Sequence, residues 1–361
     1  MKKYLSYLFI LICVLSFIGC SNQEEENTSK VNAFEIQTAT NVVDNYMGFI
    51  MRGDYENGKK LYCKELLEKS SDMPISDMDI KGYKVTESIE VGRSGIFKVR
   101  VTRTSMVKAL SCLDEYSIKI IKDGADYKIS DIANEPQKEA FVESTGIRFR
   151  DKKNVKTNLI IDKAGIPKYV YSKDDAARLY KTLVPLKEFK SVNFSYEGDK
   201  LAVSTYDKNS FVGVIYIDES LAVQAGAQGG SSSAGQSSQG GGSGEMAKEK
   251  PIGKELIPID LLMDCKVEFM TFSLDEKFLI VQYNKEKVGR YIRVYQVDNG
   301  DIIPVNFEKD YPSEKVEILF TDFGEDSMTY EVIPKSNASG PETDIIGKWK
   351  LDLKDFTVVK L

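Results

Sequence analysis

The N-terminal third of the chain carries hydrophobic residues at a helical spacing. Over residues 36–50 they recur every three or four positions, which predicts an amphipathic helix. Gly53 favours the end of that helix, and the Asp54 carboxylate is suited to accept hydrogen bonds from the free amides of the next one. We therefore expect a second helix over residues 55–69.

A strand period of two follows. Over residues 97–102 and again over 116–120, apolar and polar side chains alternate, as in strands with one buried face. The Asp-Gly pair at 123–124 predicts a hairpin turn, and the alternation returns at 127–129. Residues 31–136 are therefore expected to form an α+β domain, with helices packed on a curved antiparallel sheet.

The rest of the chain is expected to be all-β and internally repeated. After a connector at 137–144, the segment 194–206 resembles 272–283, and a weaker echo lies at 320–330. A repeat of about 48 residues with strand–turn–strand content is typical of propeller blades. The sequence thus predicts a β-propeller-like domain over 145–361, with three to four blades.

The repeats share a short sequence pattern. Phe-Ser-x-Asp/Glu followed by Lys-x-Leu resembles blades of the TolB type. This resemblance implies a propeller-like unit, in which loops from successive blades form a composite binding surface.

A tract of biased composition interrupts the repeats. Residues 226–244 contain only Gly, Ser, Gln and Ala. No side chain there can bury enough apolar surface to offset the entropy of ordering the chain. Because similar repeats flank the tract, we predict a disordered insert within the β domain.

The chain begins with a short basic segment and a hydrophobic run. Two lysines at 2–3 precede an apolar stretch at 7–18, which is shorter than the roughly 20 residues that a bilayer-spanning helix needs. The run ends in Gly19 and Cys20, and a polar segment follows. These features predict a signal peptide at 1–19.

The Gly19-Cys20 junction resembles the lipobox of bacterial lipoproteins. The resemblance implies cleavage between Gly19 and Cys20 and lipidation of Cys20, with residues 20–30 as a flexible tether. Acyl chains on Cys20 would hold the protein at the outer face of the cytoplasmic membrane. The alternative is an uncleaved short anchor with an incidental cysteine.

Two further segments resemble the nuclear transport factor two-like superfamily. They are Gly-Asp-Tyr-Glu at 53–56, after the long helix, and the strand–turn–strand run at 116–132. The resemblance implies a cone-shaped domain that either encloses a ligand or catalytic pocket or acts as an interaction module. Catalytic relatives place an acid/base pair in that pocket, and the inward candidates here are Tyr46, Tyr62, Asp79 and Tyr83.

Composition excludes several classes of chemistry. The 361 residues include 49 Lys plus Arg, 55 Asp plus Glu and no histidine, for a net charge of −6. The charge disfavours a nucleic-acid partner, and the missing histidine excludes imidazole bases and His-ligated metals. Acidic clusters at 76–79 and 298–301 lack a full calcium loop. We therefore predict no catalytic residue, metal or cofactor.

Three cysteines remain once the signal peptide and Cys20 are set aside. No C-x-x-C spacing occurs, so neither a zinc site nor a dithiol redox motif is predicted. Cys63 and Cys112 are expected in the same domain. They either form a disulfide outside the cell or remain two buried thiols.

These features predict a membrane-anchored extracytoplasmic lipoprotein that acts as a non-catalytic binding or assembly module in the cell envelope. Its expected partners are the lipid bilayer, through acylated Cys20, and a protein of the envelope. The alternatives are a small-molecule-binding lipoprotein that uses the cone-domain pocket, and an enzyme in that same pocket.

Overall fold

The computed structural model describes residues 34–70, 77–222, 249–335 and 344–361. The predicted signal peptide, Cys20, the tether and the insert at 226–244 lie outside these residues. The strands are β1 Met78–Val91, β2 Ser94–Ser105, β3 Leu110–Asp123, β4 Asp126–Glu143, β5 Gly146–Asp151, β6 Asn158–Asp162, β7 Tyr169–Val170, β8 Thr182–Leu183, β9 Glu188–Phe194, β10 Lys200–Tyr206, β11 Ser210–Ile217, β12 Gly253–Leu262, β13 Cys265–Phe272, β14 Phe278–Lys285, β15 Gly289–Gln296, β16 Val316–Phe323, β17 Ser327–Pro334, β18 Gly347–Asp352 and β19 Val358–Lys360. The named helices are α1 Ile36–Met51, α2 Tyr55–Lys59, α3 Lys64–Lys69 and α4 Phe307–Asp310, with a 3-10 turn at Lys163–Gly165.

The predicted first helix is present as α1, and it buries Ala39, Val43, Tyr46 and Met47. It ends where Gly53 adopts a left-handed backbone with φ of +72°. Asp54 then accepts from the Asn57 amide at 3.3 Å, as its position before the next helix predicts.

The predicted second helix is interrupted. Residues 55–69 form two short helices because the chain between them pairs with β4. The Cys63 amide donates to the Ile129 carbonyl, and the Ile129 amide donates to the Leu61 carbonyl, both at 2.8 Å. Those strand-type bonds to Ile129 replace the helical ones.

The largest sheet contains β1 to β6 in sequence order, all antiparallel. The predicted turn at 123–124 joins β3 to β4, with Gly124 at φ of +63°. The expected connector at 137–144 is not a loop, because β4 continues to Glu143 and pairs with β5. Its pairing with β3 passes from Pro136 directly to Lys138, which leaves Gln137 as an extra, bulged residue.

Three smaller antiparallel sheets follow, each connected as a meander. They contain β9–β12, β13–β15 and β16–β19. The internal repeat of the sequence corresponds to hairpins, since Phe194 ends β9 and Phe272 ends β13 before tight turns into the next strand. The sheets meet at polar contacts, where the Asn193 side chain accepts from Ser111 Oγ at 3.1 Å and donates to the Met270 carbonyl at 2.8 Å.

The predicted fold class is wrong. A separate α+β domain followed by an all-β domain does not describe this chain, which is mostly β with a curled first sheet. The helical part of the N-terminal region is short, at 36–69. Strand pairing also continues without a break from β1 to β6, because β4 is long enough to pair with β3 and β5. The helical period at 36–50 led us to overestimate the helical share.

Candidate functional site

The hairpin β7–β8 exposes a cluster of large apolar side chains. Tyr169 and Leu183 face each other across the two strands and are 50% and 59% exposed. In the connecting loop, just before β8, Leu179 and Tyr180 are 69% and 74% exposed. We call these four residues the hairpin surface. Clustered exposure of this kind marks interaction sites more often than isolated apolar residues do.

The loop of this hairpin is held in place by polar contacts. The Lys173 amide donates to Asp260 Oδ1 at 2.8 Å, and the Asp174 carboxylate pairs with Arg293 at 2.8 Å. Within the loop, the Tyr180 amide donates to Asp175 Oδ2 at 2.7 Å. The exposed side chains therefore stand on an anchored backbone.

The anchor is a buried network between β12 and β15. The Asp260 side chain is fully buried and accepts from Arg293 Nη1 at 3.0 Å and from the Tyr295 hydroxyl at 2.7 Å. Arg293 also pairs with Glu308 at 3.0 Å. Burial would raise the pKa of Glu308, but hydrogen bonds from Lys285 and Tyr283 and the charge of Arg293 lower it. These contacts favour the ionised form of Glu308.

Three cations of the hairpin have no carboxylate within ion-pair distance in the described part of the chain. They are Lys168, Arg178 and Lys181, and the last lies 5.5 Å from the centre of the Tyr171 ring. The Lys168 ammonium lies 5.5 Å from the Tyr169 ring. The surface thus combines exposed rings with positive charge.

A second candidate site is a cavity of about 600 Å³ between α1 and the first sheet, which we call the tyrosine pocket. It is lined by Tyr46, Tyr62 and Tyr116. The Tyr46 and Tyr62 hydroxyls lie 3.1 Å apart, and Tyr116 is hydrogen-bonded by Asn134. Burial is the main cause that raises the pKa of Tyr46 far above its ordinary value, so this phenol stays neutral.

One ion pair lies at the wall of this pocket. Arg103 Nε is 2.5 Å from Asp114 Oδ2, and the Asp114 side chain is fully buried. Asp114 Oδ1 is buried with no hydrogen-bond partner among the described residues. Burial disfavours the charged Arg103, but the hydrogen bond and charge of Asp114 outweigh it and raise the Arg103 pKa.

The four inward candidates of the sequence do not form an acid/base pair. Tyr46, Tyr62 and Asp79 line the tyrosine pocket, but Asp79 is 51% exposed and pairs with Lys81 at 3.0 Å. Tyr83 lines a different cleft and donates to the Asp44 carbonyl at 3.5 Å. The sequence analysis did not identify Arg103. It follows Val99 and Val101 on the otherwise apolar face of β2, and a charged residue in that series was the signal that could have found it.

The cleft at Tyr83 contains two carboxylates with raised pKa values. It lies between α1 and the β16–β17 turn and has a volume of about 830 Å³. Burial, reinforced by the nearby Asp44 charge, raises the pKa of Asp322 to about 6. Burial also raises the pKa of Asp44, against a hydrogen bond from Tyr83.

Of the two alternatives left open by the sequence for Cys63 and Cys112, the structure has the two buried thiols. Both thiols are free and buried, as is Cys265. Cys112 Sγ contacts Met78 Sδ at 3.9 Å, and Cys63 precedes α3, where its amide is bonded to β4. Burial raises the pKa of Cys112 to about 11, so its thiol is protonated at neutral pH.

The acidic turn at 298–301 makes ordinary protein contacts. Asp298 accepts from the Tyr216 hydroxyl at 3.1 Å, and Asp301 pairs with Lys173 at 3.4 Å. Within the described residues, no group of three or more acidic or cysteine side chains is placed to hold a metal ion. Across the same residues, no helix has the length and apolar character to cross a membrane.

Comparisons with known proteins show no family for this chain. No protein-family model matches the chain, and no curated protein is significantly similar to it. The structure is similar to the Cps50 (Swd1) β-propeller domain of Myceliophteria thermophila, at 10% identity and a TM-score of 0.25, over 69% of this chain and 96% of that one. It is also similar to TolB from Acinetobacter baumannii, at 8% identity and a TM-score of 0.25, over 73% of this chain and 61% of that one.

These similarities are too weak to carry an argument about function, and they give no support for the nuclear transport factor two-like resemblance. That the chain is mostly β follows from its own strands.

Proposed function

We propose that the chain is a non-catalytic binding module, held at the outer face of the cytoplasmic membrane by lipidated Cys20, and that a protein partner docks on the hairpin surface. The observation that carries the proposal is the exposure of Leu179 and Tyr180, at 69% and 74%, on a loop that is bonded to the buried Asp260–Arg293 pair. A preorganised loop loses little conformational entropy when it binds, so its apolar side chains can contribute to affinity.

Partner docking is tested by site-specific photo-crosslinking of the full chain in its native membrane. A photoreactive residue at position 180 is expected to give a discrete adduct. The same residue at Val155, which is 99% exposed but lies away from the hairpin, serves as the matched control. Equal labelling from positions 155 and 180, or none from 180, would contradict the docking proposal.

The tether is tested separately with Cys20→Ala. Since the proposed acyl chains require the Cys20 thiol, the variant is expected to accumulate as unprocessed or soluble protein. A variant that is cleaved and still sediments with membranes like the wild type would show that Cys20 is not the anchor.

A second candidate function is small-molecule binding in the tyrosine pocket. The specific observation is the Arg103–Asp114 pair, which is held in a preformed cavity with aromatic walls and leaves a buried carboxylate oxygen unpaired. Such a combination of apolar walls and few polar groups is typical of ligand sites. A thermal-shift screen of small molecules would test it. A ligand of the pocket should raise the unfolding temperature of the full chain and of the exposed control variant Arg93→Gln more than that of Arg103→Gln.

A further inference from the structure

A cleft rich in cations lies on a different part of the molecule from the hairpin surface and the tyrosine pocket. It has a volume of about 530 Å³ and lies between the β2–β3 loop, the end of β4 and the start of β9. We call it the cation cleft. Its lining includes five cations and two carboxylates, namely Lys108, Arg150, Lys163, Lys187, Lys190, Glu139 and Glu188.

The lysines that point into this cleft are positioned by neutral groups. Lys163 Nζ donates to the Lys187 carbonyl at 2.8 Å, and Lys190 Nζ donates to the Val107 carbonyl at 3.3 Å. A carbonyl oxygen accepts a hydrogen bond but does not cancel the charge of an ammonium. Both cations are therefore oriented while their charges remain uncompensated by these contacts.

The carboxylates of the cleft do not balance its cations. Glu139 pairs with Arg150 at 3.5 Å, and Lys187 pairs with Asp207 at 3.7 Å, where both side chains are more than half exposed. Exposed pairs of this length are weak and screened by salt. Glu188 is the remaining carboxylate of the lining, so a positive excess persists.

Lys190 is a partly buried cation of the cleft whose charged form is disfavoured. Its pKa is lowered by burial first and by the neighbouring Lys266 second, and Glu188 opposes the shift. A charged group held under these conditions is stabilised by an incoming anion, which supplies the missing opposite charge. The excess is also local, since the chain as a whole has a net charge of −6.

We propose that the cation cleft binds the phosphate group of a small anionic ligand. Lysine ammoniums act as point charges that can surround a tetrahedral oxyanion, and several of them gathered in one cleft suit a multiply charged group such as phosphate. The phosphate belongs either to an anionic lipid headgroup or to a soluble phosphate compound. Val107, 80% exposed on the rim, is placed to contact the rest of such a ligand.

The experiment is a calorimetric titration of the full chain in neutral detergent at low salt. The probes are inorganic phosphate, dihexanoyl phosphatidylglycerol and, as a zwitterionic comparison, dihexanoyl phosphatidylcholine. Saturable binding of at least one anionic probe is expected, and its affinity should fall as salt is raised. Tighter binding of phosphatidylglycerol assigns the site to lipid headgroups, and tighter binding of inorganic phosphate assigns it to soluble phosphate.

Lys190→Gln is expected to lower the affinity for the anion about tenfold, which is the scale of one partly buried charge contact. Lys348→Gln, which makes the same charge change at an exposed position on β18, should leave the affinity unchanged. Lys108→Gln removes an exposed cation of the cleft and should weaken binding even if Lys190→Gln folds poorly. The proposal is overturned if neither anionic probe saturates, or if Lys348→Gln weakens binding as much as the cleft variants do.

Discussion

Removal of the Asp260 carboxylate should destabilise the protein more than any change to a surface ion pair. In Asp260→Ala, the Arg293 guanidinium and the Tyr295 hydroxyl each lose a partner at 3.0 and 2.7 Å. The Lys173 amide also loses its bond to the carboxylate. Because the Asp260 side chain is fully buried and that of Arg293 is only 12% exposed, water cannot replace the lost contacts freely.

Removing one partner of a buried ion pair costs about 3–5 kcal/mol, and here the loss should lie toward the lower end because Arg293 keeps Asp174 and Glu308 as partners. We expect a loss of that size in the free energy of unfolding, measured by urea denaturation of the full chain and followed by circular dichroism. The hairpin loop should also become more sensitive to proteolysis at 171–181, because Lys173 loses one of its anchors.

Two comparisons make the result decisive. Lys208→Ala breaks an equally short pair with Asp264, at 2.9 Å, in which the Lys208 side chain is 76% exposed, and it should have no measurable effect. The double variant Asp260→Ala/Arg293→Met should lose less stability than the sum of the single changes, because each single change already breaks the same Asp260–Arg293 contact. An Asp260→Ala protein that unfolds at the wild-type urea concentration would refute the reasoning.

Three further outcomes are expected. Asp322 has a pKa of about 6 in the folded state, against 3.8 for an unperturbed carboxyl, so the folded state holds the proton more tightly and stability should fall as pH rises from about 4 to 6. Asp322→Asn should lack that fall, so the difference in stability between variant and wild type should change over this pH range, and a constant difference would contradict the assignment. Deletion of residues 226–244 should leave the thermal midpoint almost unchanged, and a loss above about 2 kcal/mol would mean that the tract packs against the core. Gly82→Ala should lower the urea midpoint of unfolding, because the added methyl group would overlap the Tyr196 hydroxyl, and an unchanged midpoint would contradict that overlap.

The local features that the sequence predicted are those encoded by a few adjacent residues. The turn at 123–124 and the end of α1 at Gly53 depend on backbone conformations that glycine favours, and both are present. The continuation of β4 past Pro136 was missed, because the proline and its polar neighbours have the composition of a loop. There, pairing with β3 and β5 overrides the local preference.

The candidate sites could be predicted only in part. Tyr46 and Tyr62 were predicted to point inward and do line a pocket, Tyr46 because it lies on the buried face of α1 and Tyr62 because the chain there pairs with Ile129. The Asp260–Arg293 pair joins residues of different strands, and no pattern in the sequence links them. The cation cleft likewise gathers lysines from three separate segments, so its charge is invisible in any continuous stretch of a net acidic chain.

The bulge at Gln137 has a consequence for how this chain can change over evolution. By register with β3, Asn134 before the bulge and Glu139 after it share a face of the sheet, although they are an odd number of positions apart. The extra residue therefore keeps Asn134 of the tyrosine pocket and Glu139 of the cation cleft on the same face of the sheet. Loss of Gln137 alone would turn Glu139 and its successors to the opposite face, so insertions and deletions in β4 should survive only in compensating pairs.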